Sequence, residues 1–201
     1  PSMCNLYRLD APANQIAAHF GAESGDDPWA GGYVAPKRPG PVIVSNGLPG
    51  GARRMVPMLW GFPPPPQGRA PVTNVRNLTS PFWIGTLRHA ELRCLVPVTA
   101  FQEWSGEKGA KRQHWFGLPS QPIFAFAGIF RHTDDWPCFA FLTCEPNRLV
   151  AAYHPKAMPL ILHAEDYDDW LTGEWNKVQA LAVPFPSQLM QVADTPELLC
   201  R

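Results

Sequence analysis

Four short segments of the chain carry side chains able to do chemistry. Met3-Cys4 near the start offers a thiol, and Thr73–Trp83 (TNVRNLTSPFW) offers Asn74 and the cation Arg76 between proline-rich loops. Arg93–Trp104 (RCLVPVTAFQEW) holds one carboxylate, Glu103, within an apolar and aromatic run. His154 opens the segment HPKAMPLIL, ahead of an apolar strand. A thiol, a carboxylate and an imidazole are the parts of a nucleophile with acid–base support. Each also has an ordinary reading. A free cysteine is more often a small inert hydrophobe than a nucleophile. Arg76 fits a solvated loop, and a lone histidine before a strand is usually structural. Glu103 stands apart, because acids rarely bury without a partner or a purpose.

The elements that must position these groups follow from local pattern. Ala11 to Phe20 reads as an amphipathic helix, with Asp10 as cap, Pro12 in the first turn and Gly21 as stop. Pro41–Asn46 and Met55–Phe62 read as strands, the second ended by the prolines Pro63–Pro66. Arg93–Val98 and Ala100–Ser105 read as strands, and Gly106–Arg112 (GEKGAKR) has hairpin-turn character. His114–Leu118, Ile123–Phe130 and Cys138–Thr143 continue the series. Ile123–Phe130 (IFAFAGIF) is apolar throughout and predicts a central strand buried on both faces. Glu145–Ala152 predicts a helical turn, Pro159–Leu162 a short strand, and Ala164–Leu171 a helix stopped by Gly173. Thr73–Trp83 reads as a loop.

Composition narrows the class. The 201 residues are 45% apolar and 17% charged, which suits one folded domain over residues 1–201. The 24 prolines disfavour long helices and central strands, so short strands in an irregular, β-rich α+β domain are expected. Net charge is zero, which excludes no partner, since binding answers to local charge. No apolar run approaches about 18 residues and no signal-peptide pattern is present, so a cytoplasmic protein without membrane association is expected. The five cysteines are odd in number and lack CxxC spacing, against a disulfide framework or a structural zinc site.

Taken together and in order, these segments resemble the SOS-response-associated peptidase (SRAP) family. The carriers are Met3-Cys4, Asn74-Val75-Arg76, and Arg93, Cys94, Pro97, Phe101, Glu103 and Trp104. His154 followed by Met158-Pro159-Leu160-Ile161-Leu162 completes the pattern, with Val34-Ala35-Pro36 and Leu59-Trp60-Gly61 also fitting. The resemblance implies a single compact domain of short strands around a barrel-like core with a few peripheral helices. It further implies a monomer that covalently captures abasic sites in single-stranded DNA, without cofactor or metal. By that resemblance Cys4, Asn74, Glu103 and His154 are the active-site residues, with Cys4 exposed as the N-terminus by methionine removal. Arg76 takes a phosphate-contact position. Trp104 or Trp83 is available for stacking, and Lys156, Lys108, Lys111 and Arg112 are further DNA-contact candidates. Departures occur at Asn5-Leu6-Tyr7, which lacks an arginine after the cysteine, and at Leu78. Pro155-Lys156-Ala157 lengthens the His-to-Met spacing, and Pro63–Pro66 stands where relatives carry aromatics.

The chemistry implied is that of a 1,2-aminothiol with an aldehyde. The amine forms a Schiff base and the thiol closes a thiazolidine. An α-amine with pKa about 7.8, against about 10.4 for lysine, is roughly one-third neutral at about pH 7.5, where lysine is about 0.1% neutral. Opening the closed sugar needs proton transfer, for which His154 is suited near neutrality. Glu103 in its aromatic setting predicts a raised pKa and a shuttle role. Asn74 orients without adding charge.

Other readings are a Cys–His thiol peptidase using Cys4 and His154, a non-catalytic binder of modified DNA, and a zinc hydrolase. The last is disfavoured by dispersed histidines and no HExxH. Pro1-Ser2 has the look of an expression-tag scar, behind which the Cys4 amine is held in a peptide bond with Met3.

Overall fold

The structure, a computed structural model, describes residues 4–200 apart from the side chain of Cys200. The expectations for Pro1, Ser2 and Met3 lie outside the described residues.

The first strands are β1 (Tyr7–Leu9), β2 (Ala22–Glu23), β3 (Gly32–Val34), β4 (Pro39–Val44) and β5 (Arg53–Trp60). Then come β6 (Asn74–Val75), β7 (Arg93–Val98), β8 (Ala100–Ser105), β9 (Arg112–Gly117) and β10 (Phe124–Arg131). The last are β11 (Cys138–Cys144), β12 (Met158–Pro159), β13 (Ile161–Leu162) and β14 (Gln191–Ala193). The α-helices are α1 (Ala13–Phe20), α2 (Pro81–Leu87), α3 (Arg148–Ala151), α4 (Tyr167–Thr172) and α5 (Trp175–Val178).

The larger sheet runs β12-β11-β10-β7-β4-β5-β2. It closes on itself because β5 also pairs in parallel with β11, Leu59 opposite Cys138 and Trp60 opposite Phe139. Five strands (β4, β5, β11, β10, β7) thus form a ring, the barrel-like core expected of an α+β, β-rich domain. The smaller sheet runs β14-β9-β8-β1-β3. β7 and β8 are one ribbon bent at Thr99, so Arg93–Val98 belongs to the barrel and Ala100–Ser105 to the smaller sheet.

Side-chain alternation explains this arrangement. In β10, Phe124, Phe126 and Phe130 pack with Trp60, Phe139, Phe141 and Tyr7. Ala125, Ala127 and Ile129 turn the other way, to Ile16, Phe20, Leu87, Trp170 and Leu171 beneath the helices. Large rings therefore fill the interior and small residues admit the helices outside. The expectation for Ile123–Phe130 holds on both faces. Gly128 interrupts the alternation because a Cβ there would sit 2.8 Å from Val96 Cγ2 and 2.9 Å from Cys94 Sγ.

Two local expectations fail for visible reasons. α1 begins at Ala13 with Pro12 at its cap position and no side-chain cap, since the Asp10 carboxylate is taken by Arg8 at 2.6 Å. Gly21 does stop it, in the left-handed conformation at φ 59°. The segment read as a loop contains α2, whose Ser80 accepts from the Phe82 N–H and whose first residue is Pro81. No described helix is long and apolar enough to cross a membrane.

Candidate active site

The four candidate residues come from four places in the chain and converge at one end of the barrel. Cys4 lies just before β1 and is buried against the aromatic interior. Asn74 is held by β6, which pairs in parallel with β11 so that Asn74 lies opposite Phe141. Glu103 is on β8, two residues after Phe101, so it shares the inward face of that strand. His154 follows α3, with its N–H donated to Val150 O at 2.8 Å.

The contacts among them are direct. Asn74 Nδ2 donates to the Cys4 carbonyl at 3.4 Å and to Thr73 Oγ1 at 2.9 Å. The Cys4 backbone amide hydrogen-bonds the Glu103 carboxylate. His154 Nδ1 is 3.8 Å from Glu103 Oε2 and 2.9 Å from the Ala157 carbonyl. A carbonyl only accepts, so Nδ1 carries the proton and Nε2 of the neutral ring is left as the acceptor. Asn74 Oδ1 is buried and has no partner among the described residues. Orphaned buried acceptors cost energy unless something else donates to them.

Burial sets the electrostatics. Glu103 is 2% exposed, and desolvation pushes its pKa up to about 8 despite the opposing Cys4 amide. It is therefore mostly protonated at neutral pH and able to give or take a proton there. Burial, and then the nearby Glu103 charge, raise the Cys4 thiol well above its ordinary value, so the thiol stays protonated. Cys4 Sγ donates to Leu6 O at 3.6 Å, and no hydrogen bond joins it to His154.

A cleft of about 230 Å³ leads away from this centre, lined in part by Trp104, Lys111, His154 and Lys156. The stacking and cation candidates Trp104 and Lys156 thus lie beside the candidate centre. Arg76 is exposed and already engaged, donating to Lys156 O at 2.6 Å and pairing with Glu145 at 3.1 Å. Trp83 is unavailable for stacking. It is buried against Phe62 and Phe82 with the Arg131 guanidinium near its face. Leu78 packs against the outer core, and Pro63–Pro66 is exposed. Among the described residues no group of three or more His, Cys, Asp or Glu is arranged to hold a metal ion.

Sequence reasoning passed over Thr73, Ser105, His114 and Tyr153. Ser105 Oγ lies 2.6 Å from His114 Nε2, and the His114 and Tyr153 rings are 4.3 Å apart. The register of β8 against β9, which sets Glu103 opposite His114, leads to His114 and its neighbour Ser105, and has no bearing on Thr73 or Tyr153.

The family model described as SOS response associated peptidase (SRAP) matches residues 3–198. A solved protein from Bacteroides thetaiotaomicron is 23% identical with a TM-score of 0.76, over 94% of this chain and 90% of the other. One from Bordetella bronchiseptica is 20% identical with a TM-score of 0.78, over 94% and 98%. A phage-related protein from the same organism is 17% identical with a TM-score of 0.71, over 94% and 93%. At these identities the likeness is one of fold. No curated protein matches the sequence.

Proposed function

Because the chain belongs to the SOS response associated peptidase family, we propose that it captures abasic sites in single-stranded DNA through Cys4. The observation that carries this reading is the Cys4 nitrogen held against a carboxylate whose pKa is about 8. When residue 4 is the N-terminus, that nitrogen is the α-amine. The ionised form of Glu103, which a neighbouring ammonium favours, then takes a proton from that ammonium and frees the lone pair for attack.

The reaction balances without a cofactor. The amine nitrogen adds to the aldehyde carbon of the opened sugar, giving a carbinolamine. Its hydroxyl leaves as water, with a proton from Glu103, and an imine remains. The thiol sulfur then bonds to the imine carbon while its proton passes to nitrogen, closing the thiazolidine. One water is lost and nothing is oxidised. Holding sulfur and imine carbon within one side chain makes closure effectively unimolecular. His154, through the acceptor Nε2, takes the hydroxyl proton that opens the sugar ring. The unpartnered Asn74 Oδ1 accepts from a sugar hydroxyl or from the amine. Removal of the preceding methionine is a hydrolysis in the same pocket, with one water added across the Met3–Cys4 bond. Arg76, Trp104 and Lys156 contact the flanking strand.

The raised thiol pKa favours this order of events over a Cys–His thiol peptidase, which needs a thiolate held by the imidazole. Amine attack comes first here, and the thiol adds only to an already activated imine. The test is incubation of protein prepared with Cys4 as its first residue with abasic single-stranded DNA. A heat-stable band of retarded mobility is expected, and Cys4→Ser should abolish it with little change in DNA affinity. An equal yield of stable adduct from Cys4→Ser rules the thiazolidine out.

A further inference from the structure

A groove of about 260 Å³ lies on the outer face of β4 and β5 and shares no lining residue with the cleft at His154. Pro41 and Pro57 are direct cross-strand partners, and their neighbours Val42 and Met58 pack in the barrel interior. Alternation therefore stands both proline rings on the outside, with Pro39 two residues away on the same face. Trp29 and Trp136 complete the wall. The Trp29 backbone N–H donates to Asp27 Oδ1 at 3.0 Å and its indole N–H to Leu9 O at 3.2 Å, which fixes the ring. Trp136 is 49% exposed on the β10–β11 turn, where Thr133 Oγ1 donates to its carbonyl at 2.6 Å. A lone exposed tryptophan is ordinary. One continuous with a row of prolines and a second tryptophan makes an apolar patch of the kind that binds a partner.

Grooves walled by aromatic rings and prolines accept polyproline segments, whose extended form is preset and loses little entropy on docking. The chain itself carries such a segment. Pro63–Pro66 is followed by Gln67, Gly68 and Arg69, and every residue from Pro63 to Arg69 is exposed. Proline fixes its own φ and biases the residue before it to extended backbone, so Pro63–Pro65 is held extended. Gly68 N–H donates to Pro65 O at 2.7 Å, which turns the chain back and leaves Arg69 beside the run. The charges agree. Asp27 is in the groove wall, Asp26 adjoins it, and Asp134 and Asp135 adjoin Trp136, against the cations Lys37 and Arg38 just before Pro39.

We infer that this groove receives the Pro63–Pro65 run of a second copy of the chain, with the Arg69 of that copy facing the acidic border. Groove and run are different surfaces, so the contact is heterologous. So short a segment buries less than about 1,200 Å², which makes the complex transient and leaves the dilute chain a monomer. The inference is independent of DNA and of Cys4.

Sedimentation velocity on the full chain, over concentrations reaching about the millimolar range, reads the association. Wild type should shift from monomer to larger species as concentration rises, and less so at high salt. Trp136→Ala takes the exposed ring from the groove, and Pro64→Ser/Pro65→Ser takes the preset form from the segment. Each should weaken self-association by about 10-fold or more, the effect of losing an anchor. Mixed together, the two variants should form a one-to-one complex, because the first keeps its proline run and the second its groove. Asp134→Asn/Asp135→Asn should lower the salt dependence. Thermal melting confirms that each variant is folded. A wild type that stays monomeric throughout overturns the inference. So does self-association that persists unchanged in either the tryptophan or the proline variant, or a mixture no more associated than its separate components. An unchanged salt dependence in the aspartate variant overturns the pairing of Arg69 with the acidic border.

Discussion

Arg93 and Glu103 sit ten residues apart on one bent ribbon, and both bury an ionisable group, yet they do opposite things. Arg93 lies on the barrel half. Its guanidinium donates to the Gly173 carbonyl, rests 5.6 Å from the Trp170 ring centre and feels Glu174 and Glu91. Desolvation lowers its pKa to about 10, which still leaves it charged at any ordinary pH. Glu103 lies on the other half of the ribbon, and its ion-pair neighbour among the described residues is His154, whose Nδ1 is 3.8 Å away. Its pKa of about 8 lets the proton come and go near neutrality. A buried charge alone is thus no sign of function. What separates the two is whether the surroundings lock the protonation state or leave it poised.

The comparison breaks most visibly at its structural end. Arg93→Ala should cost about 3 kcal/mol of stability, since it strips packing from Trp170 and leaves the Gly173 carbonyl without its donor. Urea unfolding measures this, and the crosslinking rate of the folded fraction should be unchanged. A slowed reaction at full stability would place Arg93 in the chemistry and erase the distinction. Glu103→Gln should do the reverse, lowering the crosslinking rate by about 10²-fold, or about 2.7 kcal/mol of barrier, in single-turnover assays. A rate within twofold of wild type would remove Glu103 from proton transfer.

Stability against pH sharpens the same contrast. The folded-state pKa of Glu103 is raised to about 8, so its neutral form contributes stability that is complete below the unfolded value of about 4.3. That contribution is lost as pH rises through the folded value. Glu103→Gln should therefore gain on wild type between about pH 5 and pH 8.5, on the order of 4 kcal/mol by thermal or urea melts. Parallel stability curves would mean that the carboxylate is not desolvated as described. The smallest effect belongs to the surface. Arg76→Ala should reduce the slope of log affinity against log salt by about one, because one exposed cation leaves the phosphate contacts. An unchanged slope would mean that its Lys156 and Glu145 contacts persist when DNA is bound.

Much of the scaffold was legible because it rests on local periodicity. Arg93–Val98 and Ala100–Ser105 have the bounds expected from their pattern, and Ile123–Phe130 announces burial on both faces by having no polar residue. The misses also have local causes. The polar run of Thr73–Trp83 between proline-rich loops masks the Ser80-Pro81 helix start, and Asp10 reads as a cap while its carboxylate is committed to Arg8.

The sequence by itself determined which reactive groups exist, where strands alternate, where Gly21 ends a helix and where the ribbon carries its one inward acid. Only the tertiary structure decided that residues 4, 74, 103 and 154 meet, that β5 closes on β11, and that Ser105 is backed by His114. It also decided that Glu103 titrates near 8. The reason is physical. Periodicity and capping are set by neighbours a few residues apart, whereas desolvation and closure depend on surfaces brought in from distant parts of the chain.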